Sequence, residues 1–226
     1  MNKKTKIILA ASVWGVILCI IISAIVSSCR KEETVTENPS NDGLLMNDDL
    51  VALKQDDGTI TIKNTQTGEV TAEKIKFDWT STSPNDSLGV FCIDNKRGYY
   101  NSYTGKIVIP AQYRRAWVFS EGLAGVQKNG QIGFINRKGV VVIPFKFPYH
   151  GNPLSSFIFK DGHCVVADTT GKCGVINHSG DWVIQPKYDN INAYKEYVIA
   201  SSAGVRQQLS YNGKVINSFV VDNISE

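Results

Sequence analysis

The chain has 226 residues, a formal net charge of +3 and 42% hydrophobic residues. That apolar content can build one core of ordinary size and excludes a disordered chain. Lys3, Lys4 and Lys6 account for the whole positive charge, and a body without excess basic residues argues against nucleic acid as a partner, because phosphate binding needs a concentrated basic surface.

The first element in chain order is an uncharged apolar segment from residue 7 to residue 28. At about 1.5 Å per residue, a helix of that length crosses a hydrocarbon core of about 30 Å, so it is predicted to be a membrane helix within a signal-anchor or lipoprotein-type membrane segment that covers residues 1–29. The length favours a retained helix over a signal peptide, whose apolar region runs about 7 to 15 residues.

A competing interpretation rests on Val26-Ser27-Ser28-Cys29, which resembles the lipobox of bacterial lipoproteins. That resemblance implies that Cys29 is acylated and becomes the new N-terminus after cleavage. A third alternative is a cleaved signal on a secreted protein, and the three stay open here. Basic residues before the segment favour a cytoplasmic N-terminus, which places the body outside the cytoplasm, in the periplasm or at the cell surface.

Residues 30–48 are charged and poor in apolar side chains, which predicts a flexible linker. From residue 49 to residue 226 the sequence repeats itself roughly every 35 residues, which is typical of a repeat architecture. A glycine opens an apolar run in each unit, and these marker glycines are Gly68, Gly105, Gly139, Gly180 and Gly213.

Each central unit contains three short apolar segments, for example Leu123–Gln127, Ile132–Asn136 and Val140–Ile143. Asn129-Gly130 and Lys138-Gly139 separate them, and such pairs favour hairpins because glycine takes a positive φ at little cost. The pattern predicts an all-β fold of about five tandem three-stranded β-meanders, in a propeller-like ring or an open array.

Two further features recur in the central units at a fixed distance after the marker glycine. Prolines are predicted to end the third strand, since proline cannot donate to a β-ladder; they are Pro110, Pro144 and Pro186. Aromatic residues follow, and their recurrence predicts that they pack between units; they are Tyr113, Phe147 and Tyr188.

The stretch from Gly89 to Asn190, with GLAGVQKNGQIGFINRKGVVVIP at its centre, resembles the WG (Trp-Gly) repeat family, and a weaker resemblance covers about residues 50–221. The signature tryptophan is absent, since Arg97, Ile132 and Cys173 precede the second-strand glycines. The resemblance implies an exported, surface-associated β-repeat module without a common enzymatic activity.

No cofactor or metal motif is present, and His150, His163 and His178 have no partner at a ligand spacing. Carboxylates beside glycines or at the ends of predicted strands are interpreted as solvated turn residues, namely Asp161, Asp168 and Asp189. Three cysteines without CxxC spacing are interpreted as small buried hydrophobes, with a Cys164–Cys173 bridge as the alternative; they are Cys92, Cys164 and Cys173.

The favoured function is a membrane-anchored, non-catalytic module that binds an envelope protein or a glycan, and the alternative is an envelope hydrolase with a site built from loops. The oligomeric state stays open. Binding is predicted near the long insertion between Gly139 and Gly180, because loops on a rigid scaffold carry recognition. The predicted binding residues are Trp117, Tyr149, His150 and Trp182.

Overall fold

The computed structural model describes residues 43–79, 87–149 and 157–220. Over those ranges the fold is all-β, as predicted, and none of the chain there forms a helix. A search of the same ranges finds no helix with the length and apolarity needed to span a bilayer. The predicted membrane segment 1–29, with Cys29, lies outside the described residues. The described strands all belong to the compact unit Asp42–Glu226.

The strands form four antiparallel sheets in chain order, and the first, of seven strands, is described here as sheets 1 and 2, which share β4. Sheets 1 and 2 comprise β1 (Gly43–Asn47), β2 (Leu50–Lys54), β3 (Ile60–Asn64), β4 (Val70–Trp79), β5 (Leu88–Ile93), β6 (Lys96–Asn101) and β7 (Ile107–Tyr113). Sheet 3 comprises β8 (Arg115–Ala116), β9 (Leu123–Lys128), β10 (Gln131–Asn136) and β11 (Val141–Pro148).

Sheet 4 comprises β12 (Cys164–Ala167), β13 (Cys173–Ile176) and β14 (Trp182–Tyr188), and sheet 5 comprises β15 (Asn190–Ala193), β16 (Val198–Ser202), β17 (Val205–Leu209) and β18 (Val215–Val220). The predicted meanders are therefore present. Among the described strands no pairing joins β18 to β1, and a closed propeller is not seen.

The third strand of a meander continues into the next sheet. The first part of β4 pairs with β3 and its end pairs with β5. A single residue, Arg114, separates β7 from β8, and Asp189 alone separates β14 from β15. These bridging strands give sheets 2, 3 and 5 a fourth strand beyond the predicted three.

The predicted linker 30–48 is too long at its C-terminal end, because residues 43–47 form β1 and pair with β2. The side-chain amide of Asn47 also donates to the carbonyl of Ser102, at 3.2 Å. These contacts tie the strand to the domain, so the ordered part begins before residue 49.

One buried apolar cluster lies between each pair of successive sheets. The cluster between sheets 3 and 4 includes Phe134, Phe147 and Phe159. The recurring aromatics Tyr113, Phe147 and Tyr188 are 3%, 2% and 5% exposed and lie in these clusters, which confirms that they pack between units.

The prediction that proline ends the third strand is wrong, because the strands run on through Pro110, Pro144 and Pro186. At each proline the register shifts, for example from Tyr99↔Ile109 to Arg97↔Tyr113. Such a bulge requires no ladder bond from the bulged residue, so proline fits there.

A glycine faces each proline bulge across the sheet. A Cβ added to Gly98 would clash with the carbonyl oxygen of Ile109, and one added to Gly133 or Gly174 would lie 2.9 or 2.6 Å from the equivalent oxygens. The second-strand glycine is therefore required because the bulged backbone approaches it too closely for any side chain.

Candidate binding surfaces

Trp117 and Tyr149, two of the predicted binding residues, lie together. The Trp117 ring contacts Phe157 at a centroid distance of 4.9 Å and Tyr149 at 6.2 Å. The guanidinium of Arg115 lies 4.6 Å from the centroid of the Tyr149 ring, a cation–π contact. Both rings also pack against the cluster between sheets 3 and 4, so part of their surface serves the core.

Trp182 has a packing role in the structure. Its ring meets that of Phe147 edge to face at 5.7 Å. A Cβ added to Gly174 would lie 2.6 Å from the ring, so the indole fills the space above this glycine. No ring contact among the described residues joins Trp182 to Trp117 or Tyr149. The fourth predicted residue, His150, lies outside the described residues.

Of the remaining histidines, His178 occupies a turn and His163 a short β-bridge, and both contact neighbouring units. His178 Nε2 lies 3.0 Å from the Glu121 carboxylate, and the imidazole stacks on Phe159 at 4.6 Å. The same carboxylate accepts a hydrogen bond from the Gly162 N–H at 3.0 Å. His163 stacks on Tyr211 with ring centroids 3.7 Å apart.

The turn carboxylates are engaged locally. Asp168 accepts the Thr170 hydroxyl at 2.7 Å, and this bond lowers the pKa of Asp168. Asp189 pairs with Lys172 at 2.5 Å and accepts the Ala203 N–H at 3.1 Å. The hydrogen bond from Lys172 lowers the pKa of Asp189 most, and the bond from Ala203 lowers it further. These local hydrogen bonds fit the predicted turn role.

The cysteines of the described residues are all free, so the alternative of a Cys164–Cys173 bridge is wrong. Cys164 and Cys173 are buried, as predicted, and Cys92 is half-buried. Burial raises the pKa of the Cys164 thiol, which keeps it protonated and unreactive. No group of three or more metal-ligating side chains occurs in the described residues.

Two adjoining pockets lie beside β15, and we call them together the β15 cleft. They have volumes of about 500 and 320 Å³ and share Asn192 and Tyr194. The larger pocket covers the outer face of sheet 5, away from sheet 4, and is lined by Asn190, Asn192, Tyr194, Ile199, Ser201, Arg206, Phe219 and Val220. The smaller one adds Lys160 and His163.

The cross-strand pairs show how this outer face differs from the earlier sheets. A buried position between the second and third strands carries two apolar residues in sheets 2 to 4, namely Tyr99↔Ile109, Phe134↔Ile143 and Val175↔Ile184. In sheet 5 the corresponding pair is Gln208↔Asn217. Two amides at this position make the outer face suited to polar contacts.

Arg206 occupies the same position in sheet 5 that Arg97 occupies in sheet 2, since each lies two residues before the second-strand member of that pair, Gln208 and Tyr99 respectively. Arg97 is held by Asp78 at 2.6 Å. Within the described ranges no carboxylate pairs with Arg206. The charge of Arg97 is therefore compensated by Asp78. The charge of Arg206, its counterpart in the cleft, has no such partner among the described residues.

Sequence reasoning did not identify the cleft. Arg206-Gln207-Gln208 stands out in the sequence as a polar replacement for an apolar strand and reads as the cap of a repeat array. The cleft also requires residues of β15 and β18, and their place on one face follows from strand register.

Three stretches match the family model of the WG containing repeat, namely residues 98–131, 132–157 and 174–196. These three stretches are similar to the WG repeat. Each matched WG repeat begins on the second strand of a sheet, at Gly98, Ile132 or Gly174. The predicted resemblance is confirmed for residues 98–196, and the terminal units form the same meanders although the family model does not match them. No curated protein matches the chain.

Solved structures similar to the chain include a computationally designed protein, Ika8 (TM-score 0.42, 14% identity, 78% of this chain and 60% of that one). BamB from Moraxella catarrhalis has a TM-score of 0.38 at 13% identity, over 79% of this chain and 62% of BamB. The WD40 β-propeller domain of Doa1 has a TM-score of 0.36 at 13% identity, over 80% and 69%. The chain thus spans under two thirds of the first two, and similarity at this level says nothing of function.

Proposed function

We propose that this protein is a non-catalytic binding or scaffolding module. Residues 1–29 anchor it to a membrane, through a helix or an acylated Cys29, and its WG-repeat domain lies outside the cytoplasm. There the domain engages an envelope protein or a glycan. The β15 cleft is the observation that carries this proposal, because it is a concave surface with hydrogen-bonding groups on a rigid sheet.

The polar side chains of the cleft support recognition. Within the described residues, the amides of Asn190 and Asn192 and the guanidinium of Arg206 have no hydrogen-bond partner. Pockets of about 300 to 1,000 Å³ with a few polar groups are typical ligand sites, and the larger pocket has a volume of about 500 Å³.

The titratable groups singled out from the sequence serve the fold. Asp168 and Asp189 accept hydrogen bonds from Thr170 and Lys172, which lower the pKa of each carboxyl and leave neither suited to act as a general acid. The Cys164 thiol is buried, and His178 bridges two units through Glu121.

Fractionation tests the anchoring. The full-length chain with a C-terminal tag is expected in the membrane fraction, with the tag accessible to protease from outside the cytoplasm. Labelled palmitate that is incorporated by the wild type and by Cys19→Ala, but not by Cys29→Ala, would select the lipoprotein form. Recovery of the full-length chain in the soluble fraction would disprove the anchoring.

Crosslinking and pull-down from the native envelope test the binding role. Asn192→Ala with Tyr194→Ala should remove partners that the wild type captures. Tyr103→Ala is the matched control, since Tyr103 is a 70% exposed tyrosine that does not line the cleft. Tyr149→Ala tests the surface at Trp117 and Tyr149 in the same way. An unchanged partner set in all variants would contradict the proposed function, and turnover of a generic ester or glycoside would show an enzyme.

A further inference from the structure

The outer face of sheet 5 presents two amides in a regular arrangement. Asn190 and Asn192 are two residues apart on β15, so their side chains lie on the same face about 6.5 Å apart. Each amide carries donors and an acceptor. Because a sugar hydroxyl also both donates and accepts, neighbouring hydroxyl groups can be satisfied by this pair, with Ser201 on the adjoining strand.

Aromatic rings flank these polar groups. Tyr194 is 47% exposed and Phe219 is 49% exposed, and both line the larger pocket. The Tyr194 ring stacks on Tyr197 at 5.0 Å, and its backbone carbonyl accepts the Tyr211 hydroxyl at 2.5 Å. These contacts hold Tyr194 in position in the absence of a ligand. Exposed rings beside amides suit a ligand with apolar C–H faces and polar edges, as a sugar ring has.

The cleft also has a positive charge. Arg206 lies in the larger pocket and Lys160 in the smaller one, and no carboxylate of the described residues pairs with either. A guanidinium binds a carboxylate through two parallel hydrogen bonds. The charge of the cleft therefore complements an anionic ligand, and the spacing along β15 suits one with several hydroxyl groups.

We propose that the β15 cleft binds an oligosaccharide that carries carboxylate groups, with Arg206 on a carboxylate and the Asn190 and Asn192 amides on hydroxyls. This inference rests on the proposed function, since it names a ligand class for the same module. A peptide that adds a strand is the less suitable occupant, because strand addition uses the backbone of a sheet edge, whereas the side chains of the larger pocket come from all four strands of sheet 5.

Calorimetric titration of the full-length protein in detergent tests the inference. Tetragalacturonate is the probe, and its full methyl ester is the matched ligand because it has the same backbone without charge. The acid should bind at least about tenfold more tightly than the ester, and this preference should weaken as salt rises.

Arg206→Gln should lower the affinity for the acid about tenfold or more and leave that for the ester unchanged. Lys214→Gln is the control, because Lys214 is an exposed lysine in the turn of the same sheet and does not line the cleft. Asn192→Ala should weaken both ligands. Since Arg206 and Asn192 are exposed, these variants should fold, and far-UV circular dichroism checks that they do.

The possible outcomes separate this inference from the proposed function. Equal affinity for the acid and the ester would overturn the inference that the cleft selects carboxylates. The proposed function as a glycan-binding module would still stand. Failure of both sugars, or binding that Arg206→Gln and Asn192→Ala do not change, would overturn the inference. Capture of an acidic peptide in place of either sugar would also overturn it, while supporting a protein-binding role.

Discussion

Replacing Gly180 with alanine tests how closely successive units pack. Gly180 is buried with φ of +81°, and a Cβ there would lie 2.7 Å from Cγ2 of Ile143. Ile143 is 0% exposed in the preceding unit, and its branched side chain cannot move away cheaply. Gly130 has the same φ of +81°, and a Cβ added there would have no atom within 4 Å, so it isolates the backbone effect.

The two substitutions share one cost and differ in another. A left-handed alanine costs about 1 kcal/mol after allowance for the stiffer unfolded chain. Overpacking of a filled core adds about 1 to 3 kcal/mol. We therefore expect Gly130→Ala to lower the free energy of unfolding by about 1 kcal/mol and Gly180→Ala to lower it by about 2 to 4 kcal/mol.

Urea unfolding of the full-length protein measures this difference. Tryptophan fluorescence reports on the half-buried Trp117 and Trp182, and far-UV circular dichroism reports on the strands. Equal destabilisation by the two variants would refute the argument, because it would mean that the turn glycine of one unit does not contact the third strand of the unit before it.

Other consequences can be checked separately. Gly98→Ala should destabilise by about 2 kcal/mol or more in urea, since the new methyl meets the proline bulge, and an effect below about 0.5 kcal/mol would contradict this account. Asp189 has a pKa below its ordinary value of 3.8, so its pairing with Lys172 stabilises the fold above about pH 4 and that contribution disappears as the pH falls further; Asp189→Asn should make the urea midpoint less sensitive to acid. Cys164 should resist iodoacetamide in the native protein and react after unfolding, as peptide mass spectrometry would show, because it is buried. Removal of residues 1–41 should leave a soluble domain with a β-sheet circular dichroism spectrum, and a dominant helix signal would contradict the fold.

Local signals in the sequence predicted most of the fold. Asn129 and Gly130 have φ of 51° and 81°, which the hairpin between β9 and β10 requires. The recurring aromatics revealed the contacts between units, since a core position must repeat when the unit repeats. The prediction from the prolines was wrong because it assumed a regular ladder, which excludes proline. A β-bulge accepts proline, and the sequence does not show whether a strand contains a bulge, since this depends on the register of the pairing.

The candidate sites were harder to predict. Trp117 and Tyr149 were named individually, and their proximity follows from the order β11-β10-β9-β8 within sheet 3, which the sequence does not state. The β15 cleft was missed because Asn192, Arg206 and Phe219 come from three strands, and which side chains share a face depends on pairing that the sequence does not state. A polar strand at the end of a repeat array also has a simpler explanation as a cap.

Sequential strand pairing has a consequence for how the chain acquires its structure. Each described strand pairs with a neighbour in sequence. Among the described strands, β18 does not pair with β1, so folding does not depend on a pairing between the two ends of the domain. A chain that emerges N-terminus first from a ribosome or a translocation pore can therefore complete each unit in turn, against the one already formed. We expect such vectorial folding to proceed without a late long-range search, because loop-closure entropy slows folding chiefly where distant segments must meet.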